Sequence, residues 1–158
     1  MPPTVELLIV LLLTIANGLF VMSEMAIVSA RKVRLQQMVN QGDARAKAAL
    51  DLANAPNNFL AIGQVAITLI AIISEPVLES IPFLSAYSQP LSFVISVICL
   101  AYLTLIIGEL VPKRLALNYP ERVSSMVAIP MSLLARVASP IVFLLGISTD
   151  LVLRILGI

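Results

Sequence analysis

Glu109 follows Gly108 and precedes Pro112, with Lys113 one helical turn beyond, in a stretch that is otherwise apolar. A carboxylate at membrane depth is costly, so it is expected to face a protein interior or a water-filled cavity. Pro112 has no amide hydrogen for the carbonyl four residues earlier, that of Gly108, which is therefore expected to be left free as an oxygen ligand. Two earlier apolar stretches carry further oxygen donors: Asn17, Ser23, Glu24 and Ser29 in the first, Gln64 and Thr68 in the second. The spacing of seven puts Asn17 and Glu24 on one helical face, with Ser23 flanking. Gln64, Thr68 and Glu75 share another, and Ser92, Ser96, Cys99, Tyr102 and Glu109 form a third stripe.

Hydroxyls, amides, a carboxylate and a main-chain carbonyl make a hard donor set. The chain has no histidine and one cysteine, Cys99, so imidazole sites for zinc, copper or iron are absent and no internal disulfide is possible. A bound metal is expected to be a hard ion such as Mg²⁺, which takes oxygen ligands in near-octahedral geometry. Each residue also has a structural reading. Ser23, Ser92 and Ser96 suit close helix packing, Asn17 an interhelical hydrogen bond, and Lys113 and Arg114 anchoring at the inner face. Glu109 and Lys113 could also simply pair at the spacing of one turn. Catalysis is not expected: the spans hold no paired aspartates, and Ser23 has no evident base beyond Glu24. No catalytic or cofactor-binding residues are assigned, and no nucleic-acid partner is expected.

The elements that must position these groups follow from composition. Of 158 residues, 59% are hydrophobic and 12% charged, and the mean hydropathy is +1.02, so the lipid bilayer is the expected solvent. The reading is an all-α integral membrane protein with three transmembrane helices at about 4–30, 58–79 and 91–112. The first span ends at Arg31, Lys32 and Arg34 and the third at Lys113 and Arg114. Basic exits of this kind mark the cytoplasmic side, placing the N-terminus outside and the C-terminus in the cytoplasm. Between them, an outer loop with Glu75, Pro76, Glu79 and Pro82 carries no Lys or Arg. The polar stretch 33–55, with an apolar stripe interrupted near Gly42, is expected to form two short juxtamembrane helices. Residues 115–157 are apolar but interrupted by Pro130, Arg136, Pro140, Asp150 and Arg154, and two short interfacial helices are expected over 123–158 in preference to a fourth span.

Depth adds a constraint. About 1.5 Å of rise per residue puts Ser23, Gln64 and Glu109 roughly 5 to 12 Å from the cytoplasmic boundary and Thr68 at roughly 16 Å, so three helices could aim them at one point.

The pieces Gly18-Leu19-Phe20, Ser23-Glu24-Met25-Ala26, Ile67-Thr68-Leu69-Ile70 and Gly108-Glu109-Leu110-Val111-Pro112-Lys113 resemble, in order and spacing, the CNNM/CorC (cyclin M) family of magnesium transporters. The Gly-Glu-x-x-Pro-Lys exit is the most specific piece. The second-span piece has Ala71 where relatives usually carry glycine. The resemblance implies a homodimer in the cell (inner) membrane that exports Mg²⁺, driven by Na⁺ entry, and alternating access at a site between the three helices is the expected mechanism. It also implies an ion site of Ser23, Thr68, Gly108 and Glu109, with Asn17, Glu24, Ser29, Gln64, Pro112 and Lys113 as neighbours. Full-length relatives continue into a cytosolic CBS-pair domain, so this chain is expected to be the membrane domain alone. The alternative function is a non-transporting magnesium sensor or scaffold that regulates another carrier.

Overall fold

A computed structural model of the chain describes residues 3–79 and 90–157. The outer loop expected after Glu79 and the side chains of Glu75, Glu79, Ser92 and Ser96 lie outside the described residues. Every regular element among the described residues is helical. Helix α1 spans Pro3–Ser29. Helices α2 (Lys32–Asn40) and α3 (Ala44–Asn54) follow, and α4 covers Pro56–Glu79. Helix α5 (Pro90–Leu105) runs through a π turn, Ile106–Leu110, into α6 (Val111–Asn118). The last helix, α7, is Pro120–Ile155.

Local chemistry accounts for the boundaries. Between α2 and α3 the chain turns at Gly42 with φ of 92°, a left-handed conformation that glycine adopts without Cβ strain. Asp43 then caps α3, its Oδ1 accepting from the N–H groups of Arg45 at 2.8 Å and Ala46 at 3.3 Å. Proline opens α4 and sits in the first turn of α7, where its missing N–H costs no intrahelical bond. The π turn answers Pro112. The Val111 N–H reaches the Ile106 carbonyl, five residues back, and the extra residue in the turn lets the helix continue past the proline ring.

Three helices, taken as Thr4–Ser29, Pro56–Ser74 and Pro120–Ile155, are long and apolar enough to cross a membrane. The third expected span, 91–112, is divided among α5, the π turn and α6, which together make one helical rod over 90–118. The expectation of two separate helices over 123–158 is corrected: α7 runs unbroken through Pro130 and Pro140. Each proline removes one backbone bond, but in apolar surroundings ending the helix would strand several more polar groups.

The sealed core lies at the basic end of the bundle. Ile27 of α1, Ala30 just after it, Leu35 of α2, Ala46, Ala49 and Ala53 of α3, Phe59 of α4 and Ala128 of α7 form one buried cluster. The small alanines let these helices approach closely. Along the spans the large apolar side chains point outward, among them Ile72, Ile98, Tyr102 and Phe143, as a lipid solvent requires.

Candidate cation site

Two glycines bring α1 against the π turn. A Cβ on Gly18 would lie 3.0 Å from Pro112 Cγ and 3.1 Å from the Ile107 carbonyl oxygen, and one on Gly108 would lie 3.3 Å from Thr14 Cγ2. Here the helices meet backbone to backbone. At this crossing Asn17 Nδ2 donates to the Gly108 carbonyl at 3.1 Å. The expectation that Pro112 leaves this carbonyl free is therefore corrected: the donor that the proline cannot supply comes from α1. The demand for a partner was correctly placed, since an unpaired carbonyl in apolar surroundings costs on the order of 1–3 kcal/mol.

Just beyond the crossing, charge gathers. Lys113 Nζ donates to Glu109 Oε1 across one helical turn, both side chains being about two-fifths exposed, 40% and 42%. Glu24 of α1 lies within electrostatic reach of the same ammonium. Its carboxylate rests over α4 at Gly63, where a Cβ would sit 3.6 Å from Oε2. Glu109 and Lys113 thus pair on the α5–α6 rod, while the Glu24 carboxylate of α1 faces α4.

The other predicted residues are placed as follows. Ser23 is fully buried, and its hydroxyl donates to the Leu19 carbonyl at 2.6 Å. Thr68 donates to the Gln64 carbonyl at 2.8 Å, and Thr68 and Gln64 both lie on an exposed face of α4. Ser29, the last residue of α1, is half-buried. The structure therefore brings together Asn17, Gly108, Pro112, Glu109, Lys113 and Glu24, and Thr68 and Gln64 do not join them. Because the Ser23 and Thr68 protons go to their own helices, only the oxygen lone pairs remain to meet a ligand. Among the described residues no group of three or more His, Cys, Asp or Glu is placed to hold a metal ion.

Sequence reasoning passed over a cavity of about 310 Å³ between α1, α4 and α5, whose polar lining is Thr14, Asn17, Ser74 and Thr104. The three hydroxyls donate to carbonyls of their own helices, at 2.8 Å, 2.7 Å and 2.9 Å. The available signal was Thr14, which shares the Asn17 face at a spacing of three.

Long apolar helices that cross backbone to backbone, with a carboxylate–ammonium pair beside the crossing, define an all-helical membrane domain. The chain belongs to the CNNM family: residues 7–158 match the family described as the cyclin M transmembrane N-terminal domain. It is 48% identical to the UPF0053 protein sll0260 of Synechocystis sp., over 97% of this chain and 37% of that protein. With the polyamine export protein of Haemophilus influenzae the identity is 26%, over 96% of this chain and 38% of that protein. With the uncharacterized protein Rv1841c of Mycobacterium tuberculosis it is 31%, over 96% and 46%. The chain thus spans less than half the length of these curated relatives.

Proposed function

We propose that this chain is the membrane domain of a cation exporter that moves Mg²⁺ out of the cytoplasm by alternating access, with Na⁺ entry as the driving force. The observation that carries the reading is the carboxylate of Glu109, paired with the Lys113 ammonium beside the crossing of α1 with the π turn, with a second carboxylate, Glu24, on α1 facing α4 at Gly63. Lysine neutralises one of the two charges, whereas a divalent ion matches both. A small, strongly hydrated cation gains most from charge at the site and keeps several waters, so two acids and a few oxygen lone pairs suffice. In this proposal Glu109 and Glu24 supply the charge, and Ser23 and the Gly108 carbonyl supply neutral oxygens. Thr68 joins when the exposed face of α4 turns inward or meets a second copy in a homodimer. The basic ends of α1 and the α5–α6 rod face the cytoplasm of a cell (inner) membrane. In the full-length protein, a cytosolic CBS-pair domain follows.

The test is flux in liposomes containing only this protein and a magnesium-sensitive dye, with and without a sodium gradient. Glu109→Gln lowers Mg²⁺ flux at least about tenfold, the scale of one lost charge-assisted contact. Wild-type flux in a folded Glu109→Gln protein removes the carboxylate from the mechanism. Absence of flux in the wild type favours the sensor or scaffold reading. A second cargo has its own support: Glu109 already seats a primary ammonium, and one relative bears the name polyamine export protein. Competition of a linear polyamine with Mg²⁺ in the same liposomes decides between them.

A further inference from the structure

At the basic end of the bundle, α2 and the corner between α6 and α7 enclose a cavity of about 330 Å³. Arg34, Gln37 and Gln41 line one side, and Asn118, Tyr119 and Arg122 the other. Glu121 also borders it, but its charge is taken. Oε1 accepts the Arg31 N–H at 3.4 Å, and Oε2 faces the Arg34 guanidinium at 3.8 Å. Arg122 is exposed and has no carboxylate within ion-pair distance among the described residues. Two guanidiniums against one carboxylate leave a positive charge, and the two glutamines, the asparagine and the phenol add neutral donors around it. Such a lining recognises an oxyanion, with arginine suited to phosphate oxygens.

Position selects the source of that oxyanion. Arg34 stands in the first turn of α2, just past apolar α1. Asn118 ends the rod over 90–118, and Arg122 lies in the first turn of α7. The cavity therefore opens where the apolar surface gives way to basic residues, at the level of lipid headgroups. The same basic residues assign this end to the cytoplasmic leaflet, which carries the anionic lipids. Leu117, next to Asn118, and Met126, one helical turn beyond Arg122, are both exposed and offer apolar surface to an acyl chain.

We propose that this cavity binds the headgroup phosphate of an anionic phospholipid. The bound lipid clamps α2 to the α6–α7 corner, little more than a turn beyond Lys113.

The experiment uses the full chain in detergent, with thermal unfolding and native mass spectrometry as readouts. Phosphatidylglycerol is titrated against phosphatidylcholine, with inorganic phosphate as a separate arm. The expected result is that phosphatidylglycerol stabilises the protein and stays bound, that phosphatidylcholine does not, and that Arg122→Gln weakens the lipid about tenfold. Arg136→Gln, on α7 outside the cavity, keeps the wild-type response. Gln37→Ala probes the same cavity without changing a charge, and it too binds phosphatidylglycerol more weakly. An unaltered lipid response in both Arg122→Gln and Gln37→Ala overturns the site. Equal stabilisation by inorganic phosphate overturns the lipid as its occupant.

Discussion

Gly18 and Asn17 show how single residues hold the crossing on which the charge cluster depends. A methyl group on Gly18 would press on a proline ring carbon and a carbonyl oxygen, neither of which yields easily. Overpacking of this kind costs about 1–3 kcal/mol. Gly18→Ala is expected to lower the unfolding temperature in detergent. Gly146→Ala, in an equally helical position with nothing within 4 Å of the added carbon, should be neutral or stabilising by up to about 1 kcal/mol. Asn17→Leu removes the donor to the Gly108 carbonyl and should cost about 0.5–2 kcal/mol. In the flux assay the same variant should impair transport, because the π turn beside Glu109 loses its anchor. Normal flux and stability in Asn17→Leu would mean that the turn holds itself.

At the level of elements, the polar layer at the basic end does more than decorate the spans. Leu35, Ala46 and Ala49 are fully buried, so α2 and α3 supply core, and α3 packs along α7. The cap that starts α3 becomes a testable joint. Asp43→Ala is expected to cost about 1 kcal/mol, while Asp43→Ser, which keeps an oxygen acceptor, costs little. Amide exchange at Arg45 and Ala46 reads this directly: protection there falls in the alanine variant and persists in the serine variant. By length and composition α7 could cross a membrane. Its nameable partners nevertheless sit at the basic end: Ala128 in the core cluster, and Ala135, Ser139 and Val142 across from Asp51, Leu52, Asn58 and Phe59. That packing seats residues 128–142 of α7 against the basic end of the bundle.

For the molecule as a whole, what matters is the solvent it was built for. Cys99 is exposed on α5, beside Ile98, which is 61% exposed. If that face meets lipid tails, Cys99 should react in proteoliposomes with a membrane-permeant maleimide and stay unlabelled by a charged, impermeant one. Labelling by the charged reagent would put water along α5 and move the conduction path there. The same single thiol offers a probe of the proposed homodimer, since an oxidative cross-link forms only if two copies of α5 meet.

The membrane character, the apolar spans and their basic exits, the turn at Gly42 and the residues Asn17, Glu24, Gly108, Glu109 and Lys113 were all legible in the sequence. They rest on local rules: hydropathy over a helix length, helical spacing, and the missing hydrogen of proline. Those rules also marked the Gly108 carbonyl as needing a partner. Which group would supply it lay 91 residues away, and only the crossing of α1 with the π turn decided that it is Asn17. Tertiary packing likewise turned Thr68 and Gln64 outward, laid Glu24 over Gly63, and set Arg34 against Glu121. It also carried α7 through two prolines, because a helix that has lost two bonds still satisfies more of its backbone than a broken chain in an apolar medium. Helical periodicity states which residues share a face but not what that face meets, and contacts between distant segments are fixed only when the helices close on one another.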